Sequence, residues 1–224
     1  YLKDAKRASQ KLIQKVLEEY KEVKEMPNAK GFSPYWKDNL GNLIPEQQEL
    51  FLMQRYETSC LLKQKFRLNI SDAGTGKTLT AANASQALDS KLTVVFCPYS
   101  VKETWERTYG NAFPDVEVQV GSWEPVWQTN KNKVLIINFD KLRSDSNTHN
   151  RIMNFSQRNE IDFVIIDEAH SVKQRGSTET VTITTDNEIK DELSDDDEKV
   201  SARRIELQTL LSELRRKNSE MRIY

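Results

Sequence analysis

At 224 residues, with 33 basic and 34 acidic side chains, the chain is long enough for one sizeable domain with an extension and carries a formal net charge of −1. Its 37% hydrophobic and 30% charged content is wetter than average, which predicts long exposed helices or a polar insertion. No signal peptide or apolar run of membrane-spanning length is visible, and the two cysteines, Cys60 and Cys97, sit in apolar settings without metal-ligand spacing; this argues against a disulfide framework or a zinc site and for an intracellular protein.

Residues 1–24 place Leu2, Ala5, Leu12, Ile13, Val16, Leu17, Tyr20 and Val23 on one helical stripe, which predicts a helix packed against the main domain. A membrane-surface helix fits less well, because the polar face mixes Glu and Lys. The next stretch holds Pro27, Gly31, Pro34 and Gly41 and reads as a linker, so residues 1–42 form an N-terminal extension and 43–224 the main unit. A helix is expected over 43–66, followed by a short strand at Arg67 to Ile70.

The stretch with the clearest chemistry is SDAGTGKTLT, from Ser71 to Thr80. Strand, glycine-rich turn, Gly-Lys-Thr and helix is the physical recipe for a phosphate cradle. Gly74, Thr75 and Gly76 form the turn, whose N–H groups point inward because Gly74 and Gly76 lack a Cβ. The helix starting near Lys77 adds free N–H donors and the positive end of its dipole. Lys77 is the candidate for the β- and γ-phosphates, and the Thr78 hydroxyl for Mg²⁺. Ser71 stands where the full pattern has Gly or Ala; it is small and should be tolerated.

Apolar strands are expected at 92–97, 116–120, 133–138 and 162–167. Helical patterns lie between them after Thr78, at 101–110, around Trp123 to Trp127, and at 151–158. This alternation predicts an α/β fold, a mainly parallel sheet covered on both faces, with ligands at the carboxyl ends of the strands. Beyond Gln174 the periodicity dissolves into an acidic insertion at about 177–200. Residues 186–199 hold eight acidic side chains and two lysines; without them the chain has 31 basic against 26 acidic residues, a net of +5 that is compatible with a nucleic-acid track. An amphipathic helix is expected over 201–217, and MRIY then reads as the start of a further strand at which the chain stops.

The strand at 162–167 ends in Asp-Glu-Ala-His. Asp167 at a strand's carboxyl end can hold Mg²⁺ opposite Thr78, and Glu168 can orient an attacking water and accept its proton. His170 is the neighbouring group able to pass on a hydrogen bond. The expected ligands are therefore ATP and Mg²⁺.

SDAGTGKT and DEAH resemble motifs I and II of superfamily-2 helicases and translocases, in which this would be the first RecA-like lobe. Val94 to Trp105, Val134 to Arg143 and the run after DEAH, with Lys173, resemble the Swi/Snf-like branch. LIPEQQ resembles the segment before motif I, which would put Gln47 against the adenine base. The resemblance spans roughly 43–176 and implies an ATP hydrolase that moves along nucleic acid, duplex DNA above all. Tyr99, Ser100, Lys102, Asn138, Lys141 and Arg143 would grip phosphates without reading bases. It also implies a motif III beyond MRIY and a second RecA-like lobe bearing arginine fingers, so that the 224 residues alone would turn over very slowly. An RNA helicase or restriction-type motor subunit stays open as an alternative, as does a nucleotide-binding interaction module without motor activity. Intact Lys77, Thr78, Asp167 and Glu168 speak against the module.

Overall fold

The computed structural model describes residues 2–34, 40–42, 49–72, 74–141, 146–169 and 207–224. Gln47, Arg143, His170 and the acidic insertion lie outside the described residues.

Five parallel strands form one sheet: β1 (Leu92–Cys97), β2 (Glu117–Val120), β3 (Lys133–Asn138), β4 (Phe163–Ile166) and β5 (Arg222–Ile223), in the order β2-β3-β1-β4-β5. β1 is buried at every residue, as a central strand covered on both faces must be. Its side chains alternate. Leu92, Val94 and Phe96 enter one core with Leu135, Ile137 and Val164, while Val95 and Cys97 enter the other with Val134, Ile136, Phe163 and Ile165.

Five helices accompany the sheet in chain order up to β4: α1 (Leu2–Glu25), α2 (Leu52–Lys63), α3 (Lys77–Ala87), α4 (Lys102–Ala112) and α5 (Ser146–Arg158); α6 (207–217) precedes β5. α3 and α4 cover one face through Ala81, Ala84, Trp105 and Tyr109. α5 and α6 cover the other through Ile152, Phe155, Leu207, Leu210 and Leu214. The crossover β1–α4–β2 runs toward one edge and β3–α5–β4 toward the other, so a common right hand requires the two helices on opposite faces. That reversal opens a crevice at the carboxyl ends of the strands. The architecture is the expected RecA-like α/β fold.

Three expectations are corrected. The segment after Trp123 is not helical: Gly121 has φ +83° and Pro125 interrupts the run. Trp123 instead plugs the core between Phe96 and Phe155, with ring centroids 6.0 and 5.6 Å away, and its indole donates to the Lys141 carbonyl at 3.3 Å. The strand expected at Arg67 to Ile70 shrinks to a single parallel bridge, Phe66 to Ile223, because β5 offers only two residues to pair with. Beyond the bridge Leu68 and Ile70 are exposed. Finally, among the described side chains of α1 it is the last turns that pack. Val23 is buried and Arg55 donates to the Lys24 and Met26 carbonyls at 2.8 and 3.0 Å, but Leu12, Ile13, Val16 and Leu17 remain exposed.

Candidate nucleotide site

The glycine turn is built as its sequence requires. Gly74 and Gly76 take φ of +80° and +78°, a region where a Cβ is strained, and α3 begins at Lys77 directly behind them. Thr75 Oγ1 donates to the Asp72 carbonyl at 2.9 Å, closing the turn on itself. Lys77 Nζ lies back across the loop, donating to the carbonyls of Ser71 and Asp72 at 2.8 and 2.9 Å.

Ser71 is more than tolerated. Its hydroxyl lies 2.6 Å from Asn69 Oδ1 and 2.9 Å from Thr75 Oγ1, and its N–H donates to the same Asn69 oxygen at 2.9 Å. Asn69 Nδ2 in turn donates to the Tyr224 hydroxyl, and the Ile166 N–H donates to the Tyr224 carbonyl at 2.7 Å. Burial pushes the Tyr224 phenol up to about 12. A hydrogen-bonded path thus joins the turn to the end of β5 and, through it, to β4. From below, Gln54 braces the turn: its Oε1 accepts from Phe51 N at 2.9 Å and its Nε2 donates to the Gly76 carbonyl at 3.4 Å. Gln54, Asn69 and Tyr224 carry no motif signal.

Asp167 and Glu168 follow β4 directly. The Asp167 N–H continues the ladder to the Phe96 carbonyl at 2.8 Å, which fixes where the carboxylate begins. Trp105 Nε1 donates to Asp167 Oδ2 at 2.7 Å. Burial raises the Asp167 carboxyl above its usual range and the Glu168 charge adds to this, while the Trp105 indole, the Glu168 N–H and Lys77 oppose it. Glu168 takes φ +53°, a sparsely populated conformation for a residue with a side chain, of the kind that concentrates at functional sites.

Lys77, Thr78, Asp167 and Glu168 line one cleft of about 300 Å³, together with Asn69, Ser71, Trp105 and Tyr224. Thr78 and Asp167 offer it a hydroxyl and a carboxylate oxygen, hard donors that suit Mg²⁺. No cluster of three or more His, Cys, Asp or Glu exists among the described residues. An ion held by one or two protein oxygens plus substrate phosphates fits that donor set better than an all-protein cage.

Of the residues proposed to meet nucleic acid, those described lie at or just after the carboxyl ends of β1 and β3. Tyr99 and Ser100 are exposed in the turn after β1, and Lys102 Nζ lies 4.7 Å from the Tyr99 ring centroid. Lys141 is exposed in the turn after β3. Asn138, which pairs in register with Cys97, is instead buried, and its Oδ1 finds no hydrogen-bond partner among the described residues. No helix among the described residues is long and apolar enough to cross a membrane.

Comparison with solved structures gives the Sulfolobus solfataricus SWI2/SNF2 ATPase core in complex with dsDNA, at 20% identity and a TM-score of 0.40, over 64% of this chain. The match spans 29% of that chain. Among curated proteins there is no match. The family model described as "Type III restriction enzyme, res subunit" matches residues 9–196. With its glycine turn before α3, its Asp-Glu at the end of β4 and its parallel sheet, this is a superfamily-2 helicase-like ATPase lobe, and the chain belongs to the type III restriction enzyme res-subunit family.

Proposed function

We propose that residues 43–224 are the first lobe of a motor that couples ATP hydrolysis to movement along nucleic acid, with duplex DNA as the track and an intracellular setting. The observation that carries this reading is the convergence of Lys77, Thr78, Asp167 and Glu168 on one cleft. Gly74, Thr75 and Gly76 present backbone N–H groups to the phosphates. Lys77 leaves the Ser71 and Asp72 carbonyls and transfers its charge-assisted bonds to the β- and γ-phosphate oxygens. Thr78 and Asp167 hold the Mg²⁺, which when bound neutralises charge on the phosphates. Glu168 orients the attacking water and accepts its proton. Gln47 would meet the adenine base, and His170 would hydrogen-bond beside the Asp-Glu pair.

Tyr99, Ser100, Lys102, Lys141 and Arg143 would track the nucleic-acid backbone, since phosphate contacts grip without reading sequence. Asn138 is the weakest of this set because it is buried. A second RecA-like lobe completes the motor and supplies arginine fingers worth roughly 10³–10⁵ in turnover. The family description favours one second reading, a restriction-type motor subunit.

Steady-state ATPase activity, in a chain that carries the second lobe, tests the proposal. Duplex DNA, single-stranded DNA and RNA are compared, with Lys77→Ala and Glu168→Gln as controls. Stimulation by duplex DNA that both variants lose supports the motor. Stimulation by RNA or single strands alone moves the reading to an unwinding helicase. No stimulation by any nucleic acid overturns it in favour of a partner-regulated nucleotide module.

A further inference from the structure

Trp105 has two faces in this fold. Its ring is core: the residue is 2% exposed and stacks on Tyr109 with centroids 6.2 Å apart. Its Nε1–H is not core. A buried indole N–H must find an acceptor, and here the acceptor is Asp167 Oδ2 at 2.7 Å, 62 residues away in sequence. Phenylalanine would keep an aromatic ring in the core, smaller by one fused ring, and would lose that bond. The polar atom is therefore directed at the carboxylate that the nucleotide-site reading assigns to the cation.

We infer that Trp105 is a positioning residue for the metal-bearing carboxylate: the indole fixes the rotation of Asp167, leaving Oδ1 to engage Mg²⁺ or a water bound to it. This deepens the nucleotide-site reading above and rests on it. The Asp167 backbone is already tied to Phe96, so rotation about the side-chain bonds is the freedom that remains. Partners behind a metal ligand act in this way, and losing one typically lowers metal affinity roughly 10–100-fold. Trp105 lies in the first turn of α4, which begins at Lys102 directly after the Tyr99–Val101 turn, so the helix that holds Asp167 starts at the turn proposed to meet nucleic acid.

The test is Mn²⁺ binding to the 224-residue chain with a non-hydrolysable ATP analogue, read by electron paramagnetic resonance, alongside analogue binding in a metal chelator. Trp105→Phe should weaken Mn²⁺ binding roughly tenfold or more, a larger loss than any it causes in metal-free analogue binding. Asp167→Asn should weaken Mn²⁺ binding further. Unchanged Mn²⁺ affinity in Trp105→Phe beside a loss in Asp167→Asn overturns the positioning role and leaves Trp105 as packing. Unchanged Mn²⁺ affinity in Asp167→Asn sinks the nucleotide-site reading itself, a distinguishable failure. If Trp105→Phe does not fold, the indole ¹⁵N–¹H resonance of the parent decides. It should be protected from exchange and shift in Asp167→Asn; a resonance insensitive to that change contradicts the inference.

Discussion

Lys77 Nζ donates to the Ser71 carbonyl at 2.8 Å, folding the lysine back onto its own loop. The ammonium has three N–H donors and gives two of them to the Ser71 and Asp72 carbonyls, so bonding both the β- and γ-phosphates requires releasing at least one carbonyl. Hydrogen bonds to charged groups are worth about 1.5–3 kcal/mol net, and Lys77→Ala should therefore weaken ATP-analogue binding roughly 10–100-fold. Fluorescent-nucleotide titration checks this. Affinity equal to the parent would mean that the lysine does not reach the ligand.

Gly76 and Gly74 share a left-handed backbone but differ in surroundings. A Cβ on Gly76 would lie 2.3 Å from Gln54 Nε2, whereas one on Gly74 meets nothing within 4 Å. Gly74→Ala should cost about 1–2 kcal/mol from backbone strain alone. Gly76→Ala should cost about 1–3 kcal/mol more for displacing a buried, bonded side chain. Adding Gln54→Ala to Gly76→Ala should recover part of that excess and none of the strain. Urea denaturation of these three variants and of Gln54→Ala alone reads all of this.

Much of the fold was legible because its strands are short, continuous apolar runs. The bounds of β1 and β3 follow directly from 92–97 and 133–138. The four residues that share the cleft were legible for a related reason: Lys77–Thr78 and Asp167–Glu168 are each local patterns with a required context. Trp123, Leu68 and the stripe on α1 were not, since nothing local says whether an apolar side chain finds a cover. Leu12 and Val16 have the spacing of a buried face and stay exposed; Trp123 has the neighbours of a helix and plugs the core from a loop. Asn69–Tyr224 and Trp105–Asp167 join residues 155 and 62 apart, contacts that only the assembled sheet creates.

Asp167 carries a cost that its variant should reveal. Its folded-state pKa is raised, chiefly by burial, so stability associated with the protonated form is present below the unfolded value and is lost as pH rises through the folded one. At pH 7 the charged form is the penalised one. Asp167→Asn, whose amide oxygen can still accept from Trp105, should raise Tm at pH 7. The gain should shrink as pH falls toward the ordinary aspartate value of 3.8. Differential scanning calorimetry across pH measures it, and a lower Tm at pH 7 would contradict this electrostatic reading.

Arg67 and Glu57 make a two-pronged pair at 2.9 and 2.8 Å where the chain leaves α2 for the phosphate loop. Their side chains are only 26% and 12% exposed, so the pair is screened less than a surface bridge. Glu57→Gln should cost about 1–2 kcal/mol in chemical denaturation, between the values for exposed and fully buried charge pairs. No loss would mean that Arg67 is held by its backbone bond to Ile223 alone.

In the proposed motor, Lys77 and Asp167 serve one nucleotide–metal complex from two separate segments. Isothermal titration of a Mg²⁺-bound, non-hydrolysable ATP analogue into the 224-residue chain measures this most directly, with Lys77→Ala and Asp167→Asn in parallel. The parent should bind with a stoichiometry of one, and each variant should lose roughly tenfold or more in affinity. Binding that survives both substitutions, or a parent that binds no nucleotide, would contradict the account.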